Sequence, residues 1–259
     1  MSETTDGKPL TWLIDMDGVL VRGSQLIPGA DEFINRLRAA GKSFLILTNN
    51  SLYTPRDLQT RLASLGLRVN LNELFTSAMA TAQFLQRQAP EGSAYVVGED
   101  GLTAALREAG YTLTEHSPDY VVLGEMLSYS FTRLTQAVRL IREGARFIAT
   151  NPDPSGPGED GVVPATGAVG ALIHETTGVR PYYVGKPNPL MIRSALRTFG
   201  GHVETSVMVG DRMDTDIVAG TEAGMETTLV LTGVTTREMV SHFPYRPTRI
   251  VESVAEIEV

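Results

Sequence analysis

Four short stretches hold the residues whose types and spacing could do chemistry. In "LIDMDGVL" (13–20) an apolar pair runs into Asp15 and Asp17, with Gly18 next. "TNN" places Thr48, Asn49 and Asn50 together, "GKP" carries Lys186, and "GDRMDTDI" opens on Asp211. Asp and Gly favour turns, so the first stretch alone is also a strand ending in a polar loop. Two close carboxylates can instead hold a hard cation, or divide into a nucleophile and a proton donor.

The elements around these stretches decide between the readings. Short apolar runs at 11–14, 43–47, 94–98, 120–124, 146–150, 181–185, 206–210 and 227–231 read as strands. Helical patterns fill 30–41, 55–66, 101–110, 131–143 and 189–200. In the fourth, Leu134, Ala137, Val138 and Ile141 recur at helical spacing, which makes an apolar core face. Several of these segments close on Gly, a common helix stop. The alternation predicts an α/β protein with mostly parallel sheets. In such sheets the carboxyl ends of the strands share one edge, where ligands bind. Asp15, Asp17, Thr48, Asn49, Asn50, Lys186 and Asp211 all follow strands, so they are expected in one cleft.

Phosphoryl transfer suits this set, because it needs positioning and charge stabilisation more than covalent machinery. Asp15 and Asp211 offer hard oxygen ligands for Mg2+. The metal and Lys186 would offset repulsion between a carboxylate and a phosphate. Thr48 and backbone amides near Asn49 could take the phosphoryl oxygens, and Gly18 lets the backbone pass close by.

Composition narrows the partners. Of 259 residues, 42% are hydrophobic, enough for a real core, and the formal net charge of −8 argues against a nucleic-acid surface. There is no cysteine, which excludes disulfides and thiol chemistry and fits a reducing cytoplasm. No apolar run is long enough to span a membrane and the polar N-terminus does not read as a signal peptide, so a cytoplasmic location is expected. "GPGEDG" (156–161) matches a dinucleotide-binding pattern but lacks the preceding strand and following helix. His116, His174, His202 and His242 show no metal-ligand spacing. A Pro- and Gly-rich stretch, 151–167, is expected to be one long loop.

Taken together and in order, "DMDGVL", "TNN", "GKP" and "GDRMDTDI" resemble the four motifs of the haloacid dehalogenase superfamily. "TSAMATAQFLQRQ", "AYVVGE", "GARFIATNPD", "YYVGKPNP" and "SVAEI" extend the resemblance to the NagD-like subfamily over nearly the whole chain. It implies a Rossmann-like parallel sheet core with an inserted α/β cap domain. The core is expected at 1–80 plus 184–259, with the cap at 81–183. It implies a Mg2+-dependent phosphatase acting on small phosphate monoesters such as nucleoside monophosphates or sugar phosphates. In that reading Asp15 is the nucleophile that forms an aspartyl-phosphate. Asp17 is the general acid and base, and its carbonyl joins Asp15 and Asp211 on the metal. Lys186 contacts nucleophile and phosphate. Thr48, Asn49, Asn50, Arg212, Asn151 and Asp153 are the expected substrate contacts. Asp216 is expected behind the ligands and Asp214 at the surface. Position 212 is Arg where close relatives often carry Asn.

Two other functions use the same groups: a phosphotransferase or phosphomutase, and a phospho-accepting regulator. Asp17 argues against the regulator, since an acid/base beside the nucleophile promotes turnover. The partner expected is a small phosphate monoester, with no nucleic acid and no membrane; the sequence allows a homo-oligomer without requiring one.

Overall fold

A computed structural model describes residues 11–158 and 161–259. Contacts divide the chain into two compact units. One comprises the described part of Met1–Thr48, with Leu58–Phe75 and Lys186–Val259; the other comprises Asn49–Asp57 and Thr76–Gly185.

The first unit is built on a six-stranded sheet. Its spatial order is Arg249–Val251, Glu226–Val230, Ser206–Gly210, Thr11–Ile14, Ser43–Thr48 and Leu74–Thr76. Thr11–Ile14 runs parallel to both Ser43–Thr48 and Ser206–Gly210, with Ile14 opposite Ile46 and Val209. Both central strands are buried along their length, the pattern of a parallel sheet covered on two faces. Burial leaves the polar residues at their carboxyl ends as the first positions able to do chemistry. The helix Pro189–Phe199 shows the local logic of the flanking layer. Asn188 caps its start by accepting from the Leu190 N–H, Pro189 fits the first turn, and Gly200 closes it at φ 77°.

The second unit has its own parallel sheet, in the order Tyr182–Tyr183, Arg146–Ala149, Tyr120–Leu123, Ser93–Val97 and Thr112–Leu113. Leu134, Ala137, Leu140 and Ile141 of the helix Phe131–Arg142 pack with Val97, Val121, Leu123 and Phe147. The apolar face read from the sequence is therefore core.

Two expectations change. The stretch 151–167 is not one loop. Ser155–Gly158 pairs antiparallel with Gly161–Pro164, and the helix Thr166–Thr177 follows at once. Residues 159–160, the Glu and Asp of "GPGEDG", lie outside the described residues. Pro and Gly hid the pairing. The helix is hidden by its Thr and Gly content and is held by burial of Val169 and Ile173. The strand expected at 181–185 is also shorter, Tyr182–Tyr183, and pairs with Arg146–Ala149 in the second unit's sheet. Lys186 therefore does not extend a strand of the sheet that carries Asp15 and Asp211.

Candidate active site

Three acids and a lysine meet in the first unit. Asp15 follows Ile14, and its N–H donates to the Val209 carbonyl at 2.8 Å, which continues the strand pairing. Lys186 is 2% exposed. Its ammonium donates to Asp15 Oδ1 at 2.5 Å, to Asp216 Oδ1 at 2.7 Å and to the Leu47 carbonyl at 3.0 Å. Three acceptors match the three ammonium protons.

Asp216 reaches the lysine through a wide turn, Met213–Ile217, in which the Ile217 N–H reaches back to the Arg212 carbonyl. Five-residue spacing of that kind is a recurring device at functional sites. Asp216 Oδ2 accepts from the Arg212 N–H at 3.1 Å. A Cβ at Gly210 would overlap the Asp216 side chain, so only glycine leaves it room.

Asp211 is held differently. Its Oδ2 accepts from the Val234 N–H at 2.7 Å. Gly18 (φ +82°) and Gly233 crowd the same carboxylate so closely that a Cβ on either would collide with it. Its Oδ1 is buried and has no hydrogen-bond partner. Buried carboxylate oxygens are seldom left so. Among the described residues, oxygens of Asp15, Asp211 and Asp216 lie within 4.8 Å of one another.

The charge balance makes the same point. Three buried carboxylates face one ammonium. Burial raises the Asp15 carboxyl well above its ordinary range, against the pull of Lys186. Burial, then Asp216, pushes Asp211 up to about 7. The two acids raise Lys186, against its own desolvation. A bound cation would satisfy Asp211 Oδ1 and offset the excess negative charge. Oxygen-only donors suit a hard divalent ion. The residues present therefore fit a metal.

Asp17 stands apart from that cluster. Its side chain is exposed, yet surrounding protein raises its carboxyl above the usual value, opposed by the fields of Arg61 and Lys186. Beside it the Gly18 N–H donates to the Val21 carbonyl at 2.8 Å and the Thr232 hydroxyl donates to the Gly18 carbonyl at 2.6 Å. Thr48, 2% exposed, ends the neighbouring strand. The Arg212 guanidinium makes a two-pronged pair with Asp214, at 3.0 and 2.8 Å.

The other expected contacts lie in the second unit and form a network there. Asn151, fully buried, donates to the Asn49 carbonyl at 3.0 Å and accepts from the Asp153 N–H. Asn49 Nδ2 donates to Asp153 Oδ2 at 2.9 Å. Asn50 Oδ1 accepts from the Tyr53 N–H at 3.1 Å. Ser77 donates to the Asn49 carbonyl, and Glu125 accepts from the Ser51 N–H. Ser51, Ser77, Glu125, Gly233 and Val234 were not singled out by sequence, since backbone amides and hydroxyl braces leave no pattern of residue types.

Known proteins share this arrangement of chain. A family model described as haloacid dehalogenase-like hydrolase matches residues 12–112, and one described as HAD-hydrolase-like matches 183–257. The chain is 52% identical over 248 residues to a dihydroxyacetone phosphatase of Corynebacterium glutamicum, covering 96% of this chain and 90% of that protein. It is 46% identical to the ribonucleotide monophosphatase NagD of Escherichia coli, covering 95% and 97%. The solved structure of NagD from Escherichia coli K-12 superposes with a TM-score of 0.92 at 44% identity, covering 97% of this chain and 99% of that one. A p-nitrophenyl phosphatase from Archaeoglobus fulgidus gives 0.91 at 36% identity, covering 96% and 98%. The chain belongs to the haloacid dehalogenase-like hydrolases, as a phosphomonoester hydrolase of the NagD-like branch.

Proposed function

We propose that the protein is a Mg2+-dependent phosphomonoesterase that works through an aspartyl-phosphate on Asp15. One observation carries this reading above others: the buried Lys186 ammonium bridges Asp15 and Asp216 while Asp211 Oδ1 stays unpartnered beside them. Lys186 holds Asp15 in one orientation and shares its negative charge. That orientation favours in-line attack by the free carboxylate oxygen on phosphorus. The ester P–O bond breaks as the Asp15–phosphorus bond forms. Asp17, whose carboxyl is raised, gives its proton to the leaving oxygen. As carboxylate, Asp17 then takes a proton from the water that attacks the aspartyl-phosphate, releasing phosphate and Asp15. Thr48 and Asn49 receive phosphoryl oxygens. Asp15, Asp211 and the Asp17 carbonyl would hold Mg2+, which supplies charge neutralisation for the approach of two anions.

The substrate class proposed is small phosphate monoesters, sugar phosphates and nucleoside monophosphates, in line with relatives named dihydroxyacetone phosphatase, ribonucleotide monophosphatase and acid sugar phosphatase. The cap is proposed at 81–183, within the second unit. Asn49, Asn50, Asn151, Asp153 and, from the first unit, Arg212 are proposed as substrate-binding residues. No helix among the described residues is long and apolar enough to cross a membrane, and a cytoplasmic location is proposed.

Phosphate release from a broad panel of monoesters, with Mg2+ and with chelator, tests this. Release that needs Mg2+ is expected. Full turnover in chelator would remove the metal, and no release from any monoester would remove the reading.

A further inference from the structure

Asp17 sits at the base of a small hairpin. Val21–Arg22 pairs antiparallel with Gln25–Leu26, and the hairpin turns through Gly23 at φ +60°. Its base carries the buried Val19, Leu20 and Val21, and the Leu20 and Val21 N–H groups bond to the Met16 carbonyl, so the hairpin and the segment that bears Asp17 are tied together. The Gly18 N–H closes onto the Val21 carbonyl. So Asp17 lies between Met16 and Gly18, whose backbone bonds run to the hairpin's own base.

The tip is different. Arg22, Gly23, Ser24 and Gln25 are all exposed, and no atom lies within 4 Å of where a Gly23 Cβ would be. A tip without packing must be held by directed bonds. Arg61, on the helix Pro55–Ser64, donates through Nη2 to the Gly23 carbonyl at 2.9 Å. The helix around it is anchored, because Leu58 and Leu62 are buried.

We propose that Arg61 is a positioning residue for the proton donor: it latches the hairpin 21–26 by its tip and so fixes the placement of Asp17. This rests on Asp17 acting as general acid. An alkoxide leaving group needs that proton, whereas p-nitrophenolate leaves with little help. A loosened Asp17 therefore penalises alkyl phosphates more than the nitrophenyl ester. A residue that merely stabilised the fold would lower both alike.

The test compares kcat/KM for dihydroxyacetone phosphate and p-nitrophenyl phosphate in Arg61→Gln, Arg61→Lys and Asp17→Asn. In Arg61→Gln the alkyl-to-nitrophenyl ratio should fall by about tenfold, the size of a partly lost acid–base contribution. Arg61→Lys keeps a charged donor and should recover most of it. Amide hydrogen exchange across Arg22–Gln25 should quicken in Arg61→Gln. An unchanged ratio, an equal loss on both substrates, or unchanged exchange overturns the latch. Asp17→Asn separates the two ideas: if it shows no leaving-group bias, the general-acid reading fails whatever Arg61 does.

Discussion

Asp216 Oδ1 lies 2.7 Å from the Lys186 ammonium, and both side chains are cut off from solvent. The same ammonium also donates to Asp15 Oδ1, at 2.5 Å. Lys186 thus pairs with two buried acids at once, and its removal should act on both stability and rate. Breaking a buried pair leaves uncompensated charge and typically costs about 3–5 kcal/mol. Lys186→Ala should lower the melting temperature of the metal-free protein, and kcat/KM should drop by about 10² or more, as when one preorganised electrostatic partner is lost. Asp216→Asn keeps an acceptor but removes its charge, so a smaller loss is expected. Thermal denaturation and steady-state kinetics measure both; a near-wild-type rate for Lys186→Ala would show that the lysine does not serve the reaction.

The Asp211 carboxylate depends on the absence of side chains at Gly18 and Gly233. Gly18 also needs its positive φ, so Gly233→Ala is the cleaner probe. The added methyl should push the carboxylate off its bond from Val234 while leaving the buried strands alone. Metal-induced thermal stabilisation should then shrink markedly, together with activity. A Gly233→Ala protein that gains as much from Mg2+ as wild type would show that Asp211 does not hold the ion.

Much of this site was legible in the sequence, for reasons that differ by residue. Asp15 and Asp211 follow strands buried along their whole length, so the first polar residue after each had to lie at the sheet edge. Lys186 was legible as a motif but not by the strand assigned to it, which belongs to the other sheet. Asp216 is brought to Lys186 by a wide turn, and neither a period of 2 nor one of 3.6 predicts that. The pairing of Ser155–Gly158 with Gly161–Pro164 was hidden because Pro and Gly read as loop. Asn151 and Asp153 were singled out, but their bonds to the Asn49 segment join positions about a hundred residues apart. No local pattern encodes such a pairing.

Asn151 now carries a definite expectation. It is fully buried, and both ends of its amide are in use. Asn151→Ala removes one partner from buried groups, a change that typically costs about 1–3 kcal/mol. Asn151→Asp should not rescue it, because a carboxylate cannot donate to the Asn49 carbonyl. Chemical denaturation of the two variants checks this, and wild-type stability in either would show that the network is dispensable.

Without metal, stability should depend on pH with a defined sign. The Asp211 carboxyl is raised from 3.8 to about 7 in the folded protein, chiefly by burial and then by Asp216. A raised carboxyl favours the folded state while protonated. That contribution is complete below the unfolded value near 4 and is lost as pH rises through about 7. The metal-free protein should therefore weaken as pH rises from about 4 to about 7, and Asp211→Asn should flatten the dependence. Mg2+ should stabilise more at pH 8 than at pH 5, since binding needs the carboxylate. Melting curves over this range, with and without Mg2+, read it directly; stability that rises with pH in chelator and is unaltered by Asp211→Asn would contradict it.

The two aspartates of "LIDMDGVL" should separate kinetically. Asp15 lies against Lys186, whereas Asp17 is exposed, with its carboxyl raised by the surrounding protein. Different surroundings let one residue type serve as nucleophile and as proton carrier. Asp17→Asn keeps the shape and the backbone carbonyl but cannot move a proton. With p-nitrophenyl phosphate the first step needs little acid help, so it should persist. Hydrolysis of the aspartyl-phosphate has no such relief and should become limiting. The variant should release about one p-nitrophenolate per site in a burst and then turn over slowly, as expected when a covalent intermediate accumulates. Asp15→Asn should show no burst. Intact-protein mass after an acid quench should reveal one added phosphoryl group on Asp17→Asn and none on Asp15→Asn. A burst without modified protein, or steady turnover at the wild-type rate, would overturn the division of labour between the two acids.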